Sequence, residues 1–335
     1  MMGKEMHAIR IHSYGGTDNM KLEKLPVPKL NVDEVLIKVT YASVNFLDIQ
    51  MRRGELENQQ FYKKATKTKS IFPMTIGSQC LGIIESAGAK VTHVNPGDRV
   101  IYGGNETYAT HVIGHEKGII PVADDIPDEQ AAAGLTQGFL AYAFTHKVYP
   151  VQQGDWCLIQ AAAGGLGSLI CQMAKNRGGK VIGVTSKYKK AKSVLESGAD
   201  EVLISTDENI VERVYDITGG SGVQVVYDGV GKDTFKTNLD SLDLAGYLVI
   251  YGQSSGYIPP FDLMKLQEKG SLFLTRTNGL PYMKYWPEYV ENFRKWIANG
   301  RLSIKIGPIY SLDDACKAHD AMENRDTTGR ILLKP

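Results

Sequence analysis

The sequence predicts an α/β protein in which a mainly β domain carries an inserted, doubly wound parallel sheet, and three observations support this fold class. Residues 1–127 contain short runs rich in valine and isoleucine, separated by glycine, proline and asparagine. From about Asp128, short apolar runs alternate with helix-length segments. Residues 329–333 are again typical of a strand, and this strand is expected to rejoin the first domain. The expected division is one domain of residues 1–127 and 271–335 around a second domain of residues 128–270.

The inserted domain is predicted to contain five strands. They are residues 156–160, 180–185, 201–205, 223–228 and 247–251. The segments between them are long enough to contain helices, and parallel strands are joined by right-handed crossovers of this kind. We therefore expect a parallel sheet with helices on both faces.

Composition and charge narrow the class of function. The chain of 335 residues is 43% hydrophobic and 22% charged, as ordinary globular proteins are, and its net charge is +1. This charge argues against nucleic-acid binding, which normally uses a basic face. No apolar run reaches the roughly 18–20 residues that cross a bilayer, and no signal-peptide pattern is present. We expect a cytoplasmic protein without membrane contact.

Residues 161–167, Ala-Ala-Ala-Gly-Gly-Leu-Gly, follow a predicted strand and precede a helix-like segment. In this arrangement the helix N-terminus offers unpaired N–H groups and partial positive charge to a pyrophosphate, and small residues let the backbone approach it. The spacing from Ala162 is A-x-G-x-x-G, in which Gly164 and Gly167 keep the last two glycines of the dinucleotide fingerprint. The alternative interpretation is a glycine-lined helix that packs closely on a sheet without a ligand.

The segment after the second predicted strand indicates which dinucleotide binds. NAD sites usually place a carboxylate there for the ribose hydroxyls, and no acidic residue occurs between Lys175 and Lys192. Residues 186–190 are Ser-Lys-Tyr-Lys-Lys, and hydroxyl and cationic groups suit the 2′-phosphate of NADPH. We therefore expect NADPH rather than NADH. The alternative is an exposed, lysine-rich helix start.

Residues 54–73 show little periodicity and predict a long surface loop. The segment contains Lys63, Lys64, Lys67 and Lys69. A run of charges usually faces water, so a solvated loop is the first interpretation. A basic lid over an anionic substrate is the second.

Six segments along the chain are together more specific than the glycine turn. They are residues 43–48 (Ser-Val-Asn-Phe-Leu-Asp) with Gly54, 97–100 (Gly-Asp-Arg-Val), 161–167, 226–231 (Val-Tyr-Asp-Gly-Val-Gly), 269–272 (Lys-Gly-Ser-Leu) and 328–335. In these segments the chain resembles the medium-chain dehydrogenase/reductase superfamily, specifically its quinone oxidoreductase (zeta-crystallin-like) branch. The resemblance implies a GroES-like β domain with an inserted Rossmann domain, the nicotinamide in the cleft between them, and a homodimer formed through the Rossmann sheets.

The resemblance also assigns residues to the cofactor. It places Asn45 and Asp48 near the nicotinamide. It assigns the pyrophosphate to Gly164, Gly165 and Gly167, the adenosine 2′-phosphate to Ser186, Lys187 and Lys190, and the same groove to Gly229, Gly252, Gln253 and Ser254. Arg276 and Arg330 are also carried over as cofactor-binding residues. No side chain is assigned as an obligatory acid or base.

The residues at the zinc positions of the superfamily predict that this chain holds no metal. Zinc-dependent members place cysteine and histidine where this chain has Asn45 and Phe46, and Gly-His-Glu where residues 77–79 are Gly-Ser-Gln. A catalytic zinc needs three nitrogen, sulfur or carboxylate ligands, and none remains in register. The four cysteines are too far apart for the structural zinc lobe. His111 and His115 are interpreted as ordinary strand residues.

The absence of zinc ligands favours particular substrates. Alcohol oxidation is disfavoured without a Lewis acid, whereas quinones and α,β-unsaturated carbonyls are already electrophilic. The first hypothesis is NADPH-dependent quinone reduction, and the second is reduction of an enone or enal double bond. A third, of another class, is a catalytically degenerate nucleotide- or RNA-binding protein. It is motivated by Gln50, Leu140 and Ser205, where relatives commonly have tyrosine, threonine and tyrosine.

Overall fold

The computed structural model describes residues 4–56, 72–115, 118–324 and 327–335, and the chain divides into two compact units. The first, here called the outer unit, contains Met1–Gly134 and Ile306–Pro335. The second, the inserted unit, contains Leu135–Lys305. Lys63, Lys64, Lys67 and Lys69 lie outside the described residues.

Sixteen strands and ten α-helices are assigned among the described residues. The strands are β1 Glu5–Ile11, β2 Met20–Pro26, β3 Glu34–Ser43, β4 Met74–Thr75, β5 Gln79–Ala87, β6 Arg99–Gly103, β7 His111–His115, β8 Ile119–Pro121, β9 Trp156–Ile159, β10 Lys180–Thr185, β11 Glu201–Ile204, β12 Val223–Asp228, β13 Leu242–Ile250, β14 Phe273–Arg276, β15 Ile306–Ser311 and β16 Arg330–Lys334. The helices are α1 Phe46–Arg53, α2 Asp128–Gln130, α3 Thr136–Ala143, α4 Gly165–Asn176, α5 Ala191–Glu196, α6 Ile210–Thr218, α7 Phe235–Asp240, α8 Met264–Glu268, α9 Trp286–Ala298 and α10 Ala315–Glu323.

The inserted unit contains one parallel sheet of six strands in the order β11-β10-β9-β12-β13-β14. This is the strand order of the Rossmann fold, 3-2-1-4-5-6. The five predicted strands are present, with the fifth beginning earlier, at Leu242. Buried aliphatic side chains such as Leu158, Ile182, Val226 and Leu248 form its core, as expected for strands covered on both faces.

The boundary of the inserted unit differs from the expected one. Residues 271–305 were expected in the β domain, but β14 pairs in parallel with β13, from Tyr247 opposite Phe273 to Ile250 opposite Arg276. The inserted unit therefore continues to Lys305. The sixth strand was missed because it has only four residues and no apolar alternation. At the other boundary, the unit begins at Leu135 rather than Asp128.

The outer unit contains a sheet in the order β15-β16-β3-β5-β6-β8, with β7 also paired to β3, and a small sheet β2-β1-β4. The strand predicted at residues 329–333 is β16, and it pairs antiparallel with β3. The last strand of the chain therefore joins a sheet of the first domain, as the sequence predicts. None of the helices in the described part of the chain has the length and apolar character that crossing a bilayer requires.

Candidate functional site

The carboxyl ends of the parallel strands carry all the predicted cofactor residues of the inserted unit. The sheet reverses its strand order at β9, which lies between β10 and β12, and ligands of such sheets bind at this switch point. The residues concerned follow or end the strands as follows: Gly164, Gly165 and Gly167 after β9, Ser186, Lys187 and Lys190 after β10, Gly229 after β12, Gly252, Gln253 and Ser254 after β13, and Arg276 at the end of β14.

The glycine turn forms a close-packed helix start. Gly164 is the N-cap residue of α4, and its N–H donates to the Ala161 carbonyl at 2.9 Å. Ala161 itself has φ +52°, in the left-handed region. A Cβ on Gly167 would lie 2.4 Å from the Ala161 oxygen, so only glycine fits there. The first N–H groups of α4 have no acceptor within the helix and are available to an anion.

The segment after β10 has the residue types that a 2′-phosphate requires. Ser186 and Lys187 are half-buried, Lys190 is buried, and Tyr188 and Lys189 are exposed. The alternative, an exposed lysine-rich helix start, therefore describes only Tyr188 and Lys189. Ser205, the position of a commonly found tyrosine, lies beside it, because its N–H donates to the Thr185 carbonyl at 3.0 Å. No acidic residue lies between 186 and 190, so the segment fits a phosphate better than a ribose hydroxyl.

Two loops at the ends of β12 and β13 are held together by their backbones. A Cβ on Gly252 would lie 2.3 Å from the Gly229 oxygen, and the Ser254 N–H donates to that oxygen at 3.2 Å. The buried Asp228 carboxylate accepts from the Val230 N–H at 2.7 Å and the Gly231 N–H at 3.2 Å. Burial raises the pKa of Asp228. These bonds fix the loop that carries Gly229.

Arg276 belongs to the same edge of the inserted unit. Its Nη2 donates to Gln253 Oε1 at 3.2 Å, which joins the end of β14 to the loop after β13. Burial lowers the pKa of Arg276, and the Asp228 carboxylate opposes this effect. The two predicted residues Gln253 and Arg276 are therefore brought into direct contact.

In the outer unit, Asn45 and Asp48 form a capping box at the start of α1. The Asn45 N–H donates to Asp48 Oδ2 at 2.8 Å, while the Asn45 side chain accepts from the backbone of the first turn. Asp48 is fully buried, and burial raises the pKa of its carboxyl group to about 6. Hydrogen bonds from Ser78, the Asn45 backbone and Tyr108 partly oppose this shift.

Arg330 lies in the outer unit and contacts Asn45 directly. Its Nη2 donates to Asn45 Oδ1 at 2.5 Å, and the Asn45 amide group donates to Ser78 Oγ at 3.2 Å. Burial lowers the pKa of Arg330 to about 10, whereas the Asp48 carboxylate acts in the opposite direction. Arg330 therefore sets the orientation of the Asn45 amide, and its positive charge favours the ionised form of Asp48.

Tyr108 and His319 are members of this group that sequence reasoning missed. The Tyr108 hydroxyl donates to Asp48 Oδ2 at 3.1 Å and lies 3.1 Å from His319 Nε2. Both side chains are fully buried, and burial raises the pKa of Tyr108 and lowers that of His319 to about 3. No local pattern marks either residue, because they approach α1 only through the tertiary fold.

Two of the positions that hold zinc ligands in zinc-dependent members of the superfamily lie together in this structure, but they carry an amide and a hydroxyl group. Asn45 and Ser78 are bonded to each other, and an amide and a hydroxyl are not the ligands that zinc prefers. Within the described residues, no group of three or more His, Cys, Asp and Glu side chains could hold a metal ion. His111 contacts Glu85 at 3.1 Å, and His115 is exposed.

Comparisons with known proteins agree with both units. Residues 31–151 match the alcohol dehydrogenase GroES-like domain, and residues 165–295 match the family described as zinc-binding dehydrogenase. A quinone oxidoreductase of Escherichia coli (strain K12) is 34% identical over 98% of this chain and 99% of its own length. A 2-haloacrylate reductase of a Burkholderia species is 32% identical over 97% of this chain and 98% of its own.

A solved structure extends the similarity to the fold. The Escherichia coli quinone oxidoreductase complexed with NADPH has a TM-score of 0.90 and 32% sequence identity, over 98% of this chain and all of that one. The strand order of the inserted unit and the strand β16 contributed by the chain end follow the architecture that the resemblance implied. The chain therefore belongs to the medium-chain dehydrogenase/reductase superfamily, in its quinone oxidoreductase branch.

Proposed function

We propose that this protein is an NADPH-dependent quinone reductase that works without zinc. The observation that carries the proposal is the carboxyl edge of the inserted unit, where the N-terminus of α4, the segment 186–190 and the loops after β12 and β13 occur together. Two similar proteins support it, a quinone oxidoreductase by its name and a solved structure by its bound NADPH.

The residues present fit NADPH. The start of α4 would offer its first N–H groups to a pyrophosphate, because Gly167 lets the helix begin close against the backbone of Ala161 and Ala162. Ser186, Lys187 and Lys190 would supply hydroxyl and cationic groups to a 2′-phosphate. Gly229, Gly252, Gln253 and Ser254 would line the same groove. When bound, NADPH supplies the hydride. The placement of the nicotinamide between the two units stays a prediction.

The side chains of the outer unit are proposed to orient the reacting groups. Asn45 is held by Arg330 and Ser78, and its backbone N–H by Asp48, so its amide cannot rotate freely. A positioned amide near the nicotinamide would orient an electrophilic carbonyl without any metal. On this proposal, the proton that completes quinone reduction comes from water, and no side chain is an obligatory acid.

A second candidate is reduction of an activated carbon–carbon double bond. The similar 2-haloacrylate reductase is named for an unsaturated substrate. Both reactions begin with hydride transfer to an electrophilic conjugated system, so one site serves either. Gln50, which replaces a commonly found tyrosine, is buried on α1 two residues beyond Asp48 and is a candidate for selecting between them.

Steady-state oxidation of NADPH by a naphthoquinone and by an enone, measured side by side, separates the two candidates. We expect a higher kcat/KM for the naphthoquinone. A higher value for the enone would establish the second candidate, and turnover of neither would reject both. In that last case, fluorescence titration of NADPH with an RNA competitor tests the binding-protein hypothesis. Binding of NADPH without turnover would support a nucleotide-binding protein, and displacement of NADPH by RNA would support an RNA-binding one.

We also propose that the protein is a homodimer formed through β14. This strand is the edge of the parallel sheet, and Phe273 is half exposed on it. Leu244, Leu263 and Met264 are further exposed apolar side chains of the same unit. Light scattering should give twice the chain mass for the wild type and a monomer for Phe273→Asp; monomeric wild type would reject the proposal. A cytoplasmic location stays a prediction.

A further inference from the structure

The Asp48 carboxylate is surrounded by groups from four separate segments of the outer unit, which contribute Asn45, Ser78, Tyr108 and Arg330. Its Oδ2 accepts from the Asn45 N–H at 2.8 Å and from the Tyr108 hydroxyl at 3.1 Å. The side chain is fully buried, so water does not supply these bonds. A carboxylate in this environment stays charged only if its hydrogen-bond donors are retained.

The direction of each hydrogen bond follows from the chemistry of the partners. Arg330 can only donate, so the oxygen of the Asn45 amide faces it and the amide nitrogen faces Ser78. Tyr108 donates its single proton to Asp48, and its oxygen is then free to accept from His319 Nε2 at 3.1 Å. Tyr108 is thus the link between Asp48 and α10.

We propose that Tyr108 is a positioning residue for hydride transfer, because its hydroxyl keeps Asp48 ionised and in place and Asp48 in turn holds Asn45. The inference rests on the proposed function, since it takes Asn45 as a residue that orients the reacting groups. Tyr108 and His319 touch neither substrate nor cofactor on this account. Their effect passes through the capping box of α1.

The titratable and charged groups that face Asp48 come from several elements. Arg330 on β16 and Tyr108 favour its ionised form, and burial opposes it. His319 on α10 contacts the Tyr108 hydroxyl, and the charge of Arg52 on α1 acts on both Tyr108 and His319. Glu323 pairs with Arg52 at 2.5 Å. With the pKa of Asp48 raised to about 6, the ionised form is lost as the pH falls through this value. Loss of the Tyr108 hydroxyl must raise that pKa further.

The test compares Tyr108→Phe with the matched variant Tyr102→Phe. Tyr102 is another buried tyrosine of the outer unit, and its hydroxyl meets the His115 backbone instead of Asp48. The first readout is the carbon NMR titration of protein labelled at aspartate Cγ, with the Asp48 signal assigned by its absence in Asp48→Asn. We expect Tyr108→Phe to raise the midpoint by about one pH unit and Tyr102→Phe to leave it unchanged.

The second readout is the pH profile of kcat/KM for NADPH and a naphthoquinone. In Tyr108→Phe, the acid limb should move to higher pH together with the NMR midpoint. The fold decrease in kcat should be larger than the fold change in KM. An unmoved midpoint and limb would overturn the inference, even if activity were lower. If Tyr108→Phe does not fold, His319→Gln replaces it, with a smaller shift expected and no shift again overturning the inference. Failure of the wild type to turn over any acceptor rejects the proposed function instead, and the NMR titration still decides whether Tyr108 keeps Asp48 ionised.

Discussion

The candidate residues of the inserted unit and those of the outer unit are held in place in different ways. The inserted unit uses backbone groups and short side chains that directly follow strands β9, β10, β12 and β13. The outer unit uses buried and half-buried side chains that come from distant parts of the chain. Asn45 and Asp48 lie at the start of α1, and Tyr108, His319 and Arg330 come from elsewhere. The first kind of site is local in sequence and the second is not.

This difference predicts different sensitivities to mutation. A backbone site fails when a side chain is added where there is no room. A buried polar network fails when one charge loses its partner, because the remaining charge is left without solvent.

Arg330→Leu should destabilise the protein most. It leaves the buried Asp48 carboxylate without the positive charge of Arg330 and Asn45 Oδ1 without its donor, and removing the partner of a buried charge costs about 3–5 kcal/mol. The cost in the free energy of unfolding should be larger at pH 8 than at pH 5, because Asp48, with a pKa of about 6, is protonated at the lower pH. Urea denaturation at the two pH values measures it. Arg213→Leu, in which a half-exposed pair with Glu208 is lost, is the control, and an equal cost for both would contradict the account.

Gly167→Ala should have the next largest effect. The new Cβ would lie 2.4 Å from the Ala161 oxygen and 3.0 Å from the Ala162 Cα, and both atoms are backbone. Overpacking of this kind costs about 1–3 kcal/mol of stability, and distortion of the turn should weaken NADPH binding about tenfold. Fluorescence titration measures the affinity. For the control Gly103→Ala, a Cβ would meet no heavy atom of the described residues within 4 Å, so an equal loss there would count against the turn as the pyrophosphate site.

Ser186→Asp should change the choice of cofactor. A carboxylate at the end of β10 would repel a 2′-phosphate and could accept bonds from ribose hydroxyls. We expect the NADPH affinity to fall about tenfold, equivalent to about 1.4 kcal/mol, and the NADH affinity to be kept. Lys192→Ala makes the same change in net charge on the exposed side of α5 and serves as the control. Equal losses for both cofactors would mean that residues 186–190 do not bind the 2′-phosphate.

The smallest of these effects should be the change that Asp48→Asn makes to the pH dependence of stability. The pKa of Asp48 is about 6 in the folded protein, above its value of 3.8 as an isolated group, so its contribution to stability is complete at low pH and is lost as the pH rises through 6. Between pH 5 and pH 7 this loss is about 1 kcal/mol in the wild type. His319, whose pKa is lowered, acts in the opposite direction in both proteins. In urea denaturation, the free energy of unfolding should rise more steeply, or fall less steeply, with pH in the variant than in the wild type, and an unchanged slope would refute the assignment.

The fold was largely predictable from the sequence, because apolar runs and helix-length spacers determine a parallel sheet. Two features were not. Strand β14 is too short and too exposed to stand out, so the inserted domain was expected to end at residue 270, whereas the inserted unit continues to Lys305. The strand formed by residues 329–333 could be predicted to return to the outer unit, whereas its antiparallel partner β3 required the structure.

The site could be predicted only in part, for a related reason. The glycine turn and the lysine segment are contiguous, and their chemistry follows from their order after strands β9 and β10. Tyr108 and His319 lie 60 and 271 residues from Asp48 and Asp48 itself gives no local sign of burial. Resemblance to a family identified Asn45, Asp48 and Arg330, but the bonds among them appear only in three dimensions.

The most direct test of the proposed function is the ratio of kcat/KM for NADPH to that for NADH, with a naphthoquinone as the common acceptor. The account predicts that NADPH reduces the naphthoquinone and that kcat/KM is at least about ten times higher with NADPH than with NADH. NADH lacks the 2′-phosphate, and the loss of one phosphate contact is equivalent to about 1.4 kcal/mol, or tenfold. Equal use of NADH, or no reduction of the quinone, would contradict it.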